Sequence, residues 1–235
     1  MHPTPNENAR GPSDLGVSRT GGSAVGWSDE DLAMRITRDI RDGWTVNLGV
    51  GLPTQVARLL TGRRVLVHSE NGILGVGSPA EVGREDPDLV HAGKGWSTLV
   101  PGAAIMDSVV SFTLIRGGRL DLSVMGAYQV SVQGDLANWR VEGARIAGIG
   151  GAADLAYGAR RLWVAMHFRT RDGHARIVHS CSYPLTAGHC VTRVYSDVGV
   201  FAMRDGRLAL VEPAPGVVAD EVYRAVHDTV DTAER

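Results

Sequence analysis

What most constrains this chain is an alternation. Short apolar runs, each of a length suited to a buried strand, are separated by stretches with helical spacing and punctuated by glycine. Thr45 to Leu48, Val65 to His68, Asp121 to Met125, Leu162 to Met166, Arg176 to His179 and Leu208 to Val211 read as strands. Helical patterns fall at Ser28 to Arg41, through Val56, Leu59 and Leu60, and near Asp107 to Ile115, Ala152 to Ala159 and Asp220 to Val230. In the first of these, Ser28 stands as an N-cap, Asp29, Glu30 and Asp31 fill the first turn, and Leu32, Ile36 and Ile40 recur at four-residue spacing until Asp42-Gly43 ends the pattern. Strands alternating with helices predict an α/β fold, a single domain around a mostly parallel sheet flanked by helices. That domain is expected over residues 27–235; residues 1–26, rich in Gly, Pro, Ser, Asn and Thr without periodicity, read as a disordered extension.

Charge and cysteine count remove whole classes of function. A formal net charge of −2 offers no positive field for nucleic-acid phosphates. Cys181 and Cys190 form no CxxC pair and no zinc spacing, so a reducing cytoplasm is expected and both thiols read as inert. No run approaches the roughly 18 apolar residues of a membrane helix, and the start has no basic region followed by an apolar one. Gly accounts for 30 of 235 residues, nearly twice the average of about 7%, which predicts many tight turns and close backbone approaches. Lys94 is the single lysine.

In open α/β sheets ligands bind beyond the carboxyl ends of the strands, and three segments stand in such places. Glu70 ends an apolar strand and opens Glu70-Asn71-Gly72, a sharp turn whose small residues through Gly77 would leave room for a substrate. A carboxylate there can serve as general base, metal ligand or nucleophile; metal binding is disfavoured because only His68 accompanies it, and capping a helix or pairing an arginine is the plain structural alternative. The Gly49 to Thr54 loop is an incomplete dinucleotide fingerprint, suited either to lining a pocket with Gly49 and Gly51 amides or simply to packing. Gly148-Ile149-Gly150-Gly151 precedes a helix and could aim N–H groups at an oxyanion, or could be an ordinary turn.

Taken together with further motifs, these segments resemble the beta (B) subunit of the family I, or 3-oxoacid, CoA-transferases. The resemblance is carried by Asn47 to Thr54, Ser69-Glu70-Asn71-Gly72, Asp86-Pro87-Asp88-Leu89, Ala92-Gly93-Lys94 and Pro101-Gly102-Ala103. It continues through Ile115 to Gly118, Gly126 to Val130, Gly134 to Trp139, Gly150-Gly151-Ala152, Pro184-Leu185-Thr186 and Ala214 to Val217, in the family's order from about residue 28 to about 222.

The resemblance implies that Glu70 is the nucleophile. It would attack an acyl-CoA, succinyl-CoA by preference, and pass CoA through a glutamyl-CoA thioester to a 3-oxo acid such as 3-oxoadipate or acetoacetate. It implies Gly150 and Gly151 as oxyanion donors, places Gly49, Gly51, Asn71 and Gly72 at the pocket, and implies ping-pong kinetics with no metal or permanently bound cofactor, coenzyme A being substrate and transient adduct. The partner it implies is a separate alpha (A) subunit, in a heterodimer or an A2B2 tetramer. Departures from the family pattern are His68 before the motif, Ser78-Pro79-Ala80 after it, Ala153 in the second glycine motif, and Met166-His167-Phe168. Two rivals remain on the residues alone: a thioester hydrolase built on the same Glu70, and a CoA-binding chain without catalysis. His91, His174, His179 and His189 are scattered and read as surface or structural; Asp135, Asn138 and Trp139 could line a pocket or an interface, and Arg116 could anchor a turn.

Overall fold

The computed structural model describes residues 25–141 and 148–231. Apart from its last two residues, the extension expected over 1–26 lies outside that range. Of those two, Gly26 is tied to the fold, its N–H donating to Pro215 O at 2.9 Å, and Trp27 N follows it onto Asp197 O at 2.8 Å.

Helix α1 (Asp29–Asp39) starts where its acidic first turn predicts. The Ser28 side chain accepts from Asp31 N, and Asp31 answers the Ser28 backbone, closing a capping box. The chain then runs through β1 (Thr45–Leu48), α2 (Leu52–Leu59), β2 (Leu66–Ser69), β3 (Ile73–Pro79), β4 (Ser97–Ile105) and α3 (Ser108–Arg116). After β5 (Leu122–Met125) come β6 (Gln129–Ser131), β7 (Leu136–Ala137), α4 (Ala152–Gly158), β8 (Leu162–Ala165) and β9 (Ile177–Val178). It closes with β10 (Val191–Ser196), β11 (Gly199–Arg204), β12 (Arg207–Pro213) and α5 (Ala219–Asp231).

Nine strands form one sheet in the order β12-β11-β10-β8-β5-β1-β2-β3-β4. Its five central strands, from β10 to β2, are parallel, as the alternation predicts; the outer pairs β3-β4 and β11-β12 are antiparallel wings. Residues of β8 alternate between faces: Trp163 and Ala165 join the core under α1 and α2, while Leu162 and Val164 join the core under α3, α4 and a small β7-β6-β9 sheet. The result is three layers, with the central strands buried on both faces.

Strand order reverses at β1. The chain moves outward from β1 to β4 on one side, returns through α3 to β5 on the other, and continues to β12. The crevice at the carboxyl ends of β1 and β5 is thus the topological switch point, where such sheets bind ligands. Ser69, the last residue of β2, brings Glu70 to its rim.

Candidate active site

Glu70 stands at the head of the turn joining β2 to β3. Gly72 N closes the turn on Ser69 O at 3.0 Å, and Gly72 adopts a φ of +124° that only glycine takes without strain. A Cβ at this position would meet Met106 O, which belongs to the connection between β4 and α3; the Met106 N–H in turn donates to Gly72 O at 2.8 Å. Gly72 therefore fixes the turn by close packing, and the carboxylate beside it stays half-exposed.

Asn47, buried on β1 beside His68, donates from Nδ2 both to His68 O at 3.2 Å and to Glu70 Oε2 at 3.0 Å. No cation lies in salt-bridge range of Glu70 among the described residues. The carboxylate is thus oriented by a neutral donor and is not held by an ion pair, the state a nucleophile needs. Sequence reasoning passed over Asn47 as a strand residue; a polar side chain in the middle of a buried parallel strand next to the switch point was the available signal.

Gly151 comes to the glutamate from across the cleft. A Cβ on it would lie 3.6 Å from Glu70 Cγ and 3.0 Å from the Phe112 ring, so the absent side chain leaves space between carboxylate and aromatic wall. The Gly150 and Gly151 N–H groups make no hydrogen bond among the described residues. Arg116, expected to anchor a turn, instead joins α3 to α4 through Asp154 at 2.7 Å, with its guanidinium over the Phe112 ring. Gly49 serves the sheet: its N–H donates to Val124 O at 2.8 Å, and a Cβ would come within 3.2 Å of that oxygen. Gly51 opens α2 at φ +92° with open space around it.

Asn71 does not turn toward the cleft. Its Nδ2 donates to Val90 O at 2.7 Å, while Ser69 Oγ accepts from Ala92 N at 2.8 Å. These two bonds bring the loop carrying His91 and Lys94 against the glutamate's turn, so of the surface and structural readings of His91 the structural one applies. Lys94 stands exposed in that loop with φ +65°. The small residues after Gly72 also differ from expectation. They form β3, and the room they would leave is filled by β4: a Cβ on Gly75 would meet Ala103 at 2.9 Å, and one on Gly77 would meet Thr98 Oγ1 at 2.5 Å.

His68 lies beneath the turn, 2% exposed, with Nε2 2.9 Å from Ser111 Oγ and Nδ1 unpartnered. Burial lowers its pKa, opposed by the charge of Glu70. Asp135, Asn138 and Trp139 are held by internal bonds to Ser131, Thr186 and Leu185 O, and the Asn138 amide also reaches Gly126 O at 3.3 Å, just past β5. Two clefts elsewhere, of about 350 Å³ beside Trp27 and Glu212 and about 580 Å³ beside Trp44 and Trp163, are not lined by Glu70.

Residues 29–225 match the model of the coenzyme A transferase family. The chain belongs to that family. The transferase is 45% identical over 199 residues to the beta (B) subunit of 3-oxoadipate CoA-transferase from Pseudomonas putida, covering 84% of this chain and 93% of that one. It is likewise 45% identical over 193 residues to the probable beta (B) subunit of succinyl-CoA:3-ketoacid coenzyme A transferase from Bacillus subtilis, covering 82% and 89%. Its fold superposes with a TM-score of 0.65 on an acyl-CoA transferase from Escherichia coli O157:H7 solved as a thioester complex with CoA; the match is 17% identical and covers 92% of this chain and 42% of that one. No helix among the transferase's described residues is long and apolar enough to cross a membrane.

Proposed function

We propose that this chain is the beta (B) subunit of a two-subunit 3-oxoacid CoA-transferase and that Glu70 is its nucleophile. The observation that carries the reading is the state of the carboxylate: it sits at the switch point, on a glycine turn, held by the Asn47 amide at 3.0 Å with no cation paired to it among the described residues. A Glu70 oxygen attacks the acyl-CoA carbonyl carbon, a C–O bond forms, the C–S bond breaks, and the electron pair leaves with CoA as thiolate. The thiolate then attacks the Glu70 carbonyl carbon of the mixed anhydride, expelling the donor acid as its carboxylate and leaving a glutamyl-CoA thioester. An acceptor carboxylate runs the two steps backward and departs as its CoA ester. Donor and acceptor never need to be bound together, so the kinetics are ping-pong.

Gly150 and Gly151 are the donors we assign to the oxyanion of each tetrahedral intermediate, where a pre-aimed N–H is worth about 3 kcal/mol. Much of the remaining acceleration comes from binding the remote CoA moiety, which can be used to desolvate and orient the reacting carboxylate. The acids we assign, succinate as donor and a 3-oxo acid such as 3-oxoadipate as acceptor, follow the names of the relatives. Those names designate one member of a subunit pair, which supports a separate alpha (A) subunit; we place the two chains in a heterodimer or A2B2 assembly in the cytoplasm. The half-exposed Glu70 carboxylate at the sheet's switch point supports a second chain that closes over it.

The test uses the complex purified with its alpha subunit. Acyl-CoA followed by borohydride should reduce Glu70 to the corresponding alcohol, and Glu70→Ala should lose both the modification and CoA exchange. Normal turnover by that variant would overturn the assignment. CoA release without an acceptor acid would convert the reading to a hydrolase.

A further inference from the structure

The residues on either side of Glu70 hold the residues on either side of His91. Ser69 Oγ takes the Ala92 N–H at 2.8 Å, and Asn71 Nδ2 gives to Val90 O at 2.7 Å, forming two rungs with the glutamate and the histidine between them. The loop is folded around the imidazole itself. Gly93 N donates to His91 Nδ1 at 3.0 Å, Lys94 N to His91 O at 2.8 Å, and His91 N to Gly95 O at 3.1 Å. The ring lies on a floor of glycine: a Cβ on Gly93 would meet ring atom Cε1 at 2.7 Å, and one on Gly95 would meet Nε2 at 2.5 Å.

A bond from Gly93 N–H to Nδ1 requires a lone pair there, so it selects the neutral ring with its proton on Nε2. Protonating Nδ1 sets two N–H donors face to face and breaks the loop's central bond. We propose that His91 is a positioning residue for Glu70: as a neutral imidazole accepting the Gly93 N–H, it shapes the loop whose two rungs steady the nucleophile's turn, and its protonation releases that turn. The proposal rests on Glu70 being the nucleophile.

The surroundings favour the neutral ring. Burial lowers the pKa of His91, and Glu70 is the charged group that opposes this. Of the other titratable groups at this place, His68 is buried on the core side of the turn, and Lys94, three residues along the loop, is exposed.

The two roles of the imidazole, acceptor and titrating group, can be separated by substitution in the complex with the alpha subunit. His91→Asn supplies a side-chain oxygen that can accept the N–H two residues on, and it never titrates in this range. His91→Leu fills similar space with no acceptor. His91→Asn should keep kcat within about threefold of wild type at pH 7.5 and move the acid limb of the kcat profile to lower pH, while His91→Leu should lose about tenfold or more at every pH. An acid limb unchanged in His91→Asn, or a His91→Leu enzyme with wild-type kcat, would overturn the proposal; if His91→Leu fails to fold, the His91→Asn profile still decides. Glu70→Ala runs beside them as the separating control. If it retains exchange, the nucleophile assignment falls and the His91 proposal with it; if it is dead while the His91 variants behave like wild type, the His91 proposal alone fails.

Discussion

Asn47 Nδ2 lies 3.0 Å from Glu70 Oε2 and 3.2 Å from His68 O, so one buried amide orients the glutamate and ties it to the strand that carries it. Substituting leucine leaves Glu70 without a side-chain hydrogen-bond donor among the described residues. Asn47→Leu should lower kcat about ten- to a hundredfold, ~1.4–2.8 kcal/mol of barrier, with a smaller change in KM, because in the proposed mechanism most of the binding energy comes from the CoA moiety remote from the reacting carbonyl. Asn47→Asp sets a second carboxylate beside the first and should shift the onset of activity to higher pH, since two like charges at this distance resist joint ionisation. Steady-state kinetics from pH 5 to 9 check both.

Gly151 has an ordinary φ of −83°, so alanine there strains no backbone; its added methyl would instead press on the Phe112 ring and approach Glu70 Cγ. Gly151→Ala should cost about tenfold in kcat/KM with little change in melting temperature. Shortening the wall with Phe112→Leu in the same chain should return part of that loss. Strictly additive effects of the two substitutions would show that the residues do not share the space.

His68 gives the fold a pH dependence of defined sign. Its pKa is lowered in the folded chain by burial, so below the ordinary histidine value of about 6.5 the unfolded chain takes up protons more readily than the folded one. Stability is therefore full above that pH and falls as the pH drops from it toward the folded-state value. His68→Gln, which does not titrate, should show a shallower fall in urea midpoint between pH 7.5 and 5.5 than wild type; parallel curves would assign the effect to other groups.

Cys181 and Cys190 should be slow to react in the native chain. Burial pushes their thiols up to about 11 and about 12, so the thiolate is scarce at pH 8. Disulfide-exchange labelling at that pH should be far faster in urea than in buffer, and equal rates would count against the buried environment.

Sequence patterning reached four of the five parallel central strands, β1, β2, β5 and β8, and of the wings only β12. Thr45–Leu48, Leu122–Met125 and Leu162–Ala165 are buried apolar segments, so their strands could be read directly. β3 escaped because Gly75 and Gly77 interrupt its pattern; Gly75, at φ +93°, falls where its register with β4 shifts. β4 carries Pro101-Gly102 and alternates poorly, and β10 mixes Thr192 and Arg193 into its apolar run. Glu70 was legible because Asn-Gly marks a turn at the end of an apolar strand. The packing of Asn47 and of the His91 loop against the candidate site was not, because it arises from pairing across strands and loops 23 and about 20 residues apart, which no local pattern records.

Gly72 leaves no space for a side chain because the Met106 peptide stands where one would be. The turn bearing the carboxylate and the segment leading out of β4 are therefore one mechanical part, and any side chain placed at Gly72 would have to displace the Met106 backbone with it. Room for a new side chain can be made at the wall across from the carboxylate, whereas at Gly72 the turn tolerates none.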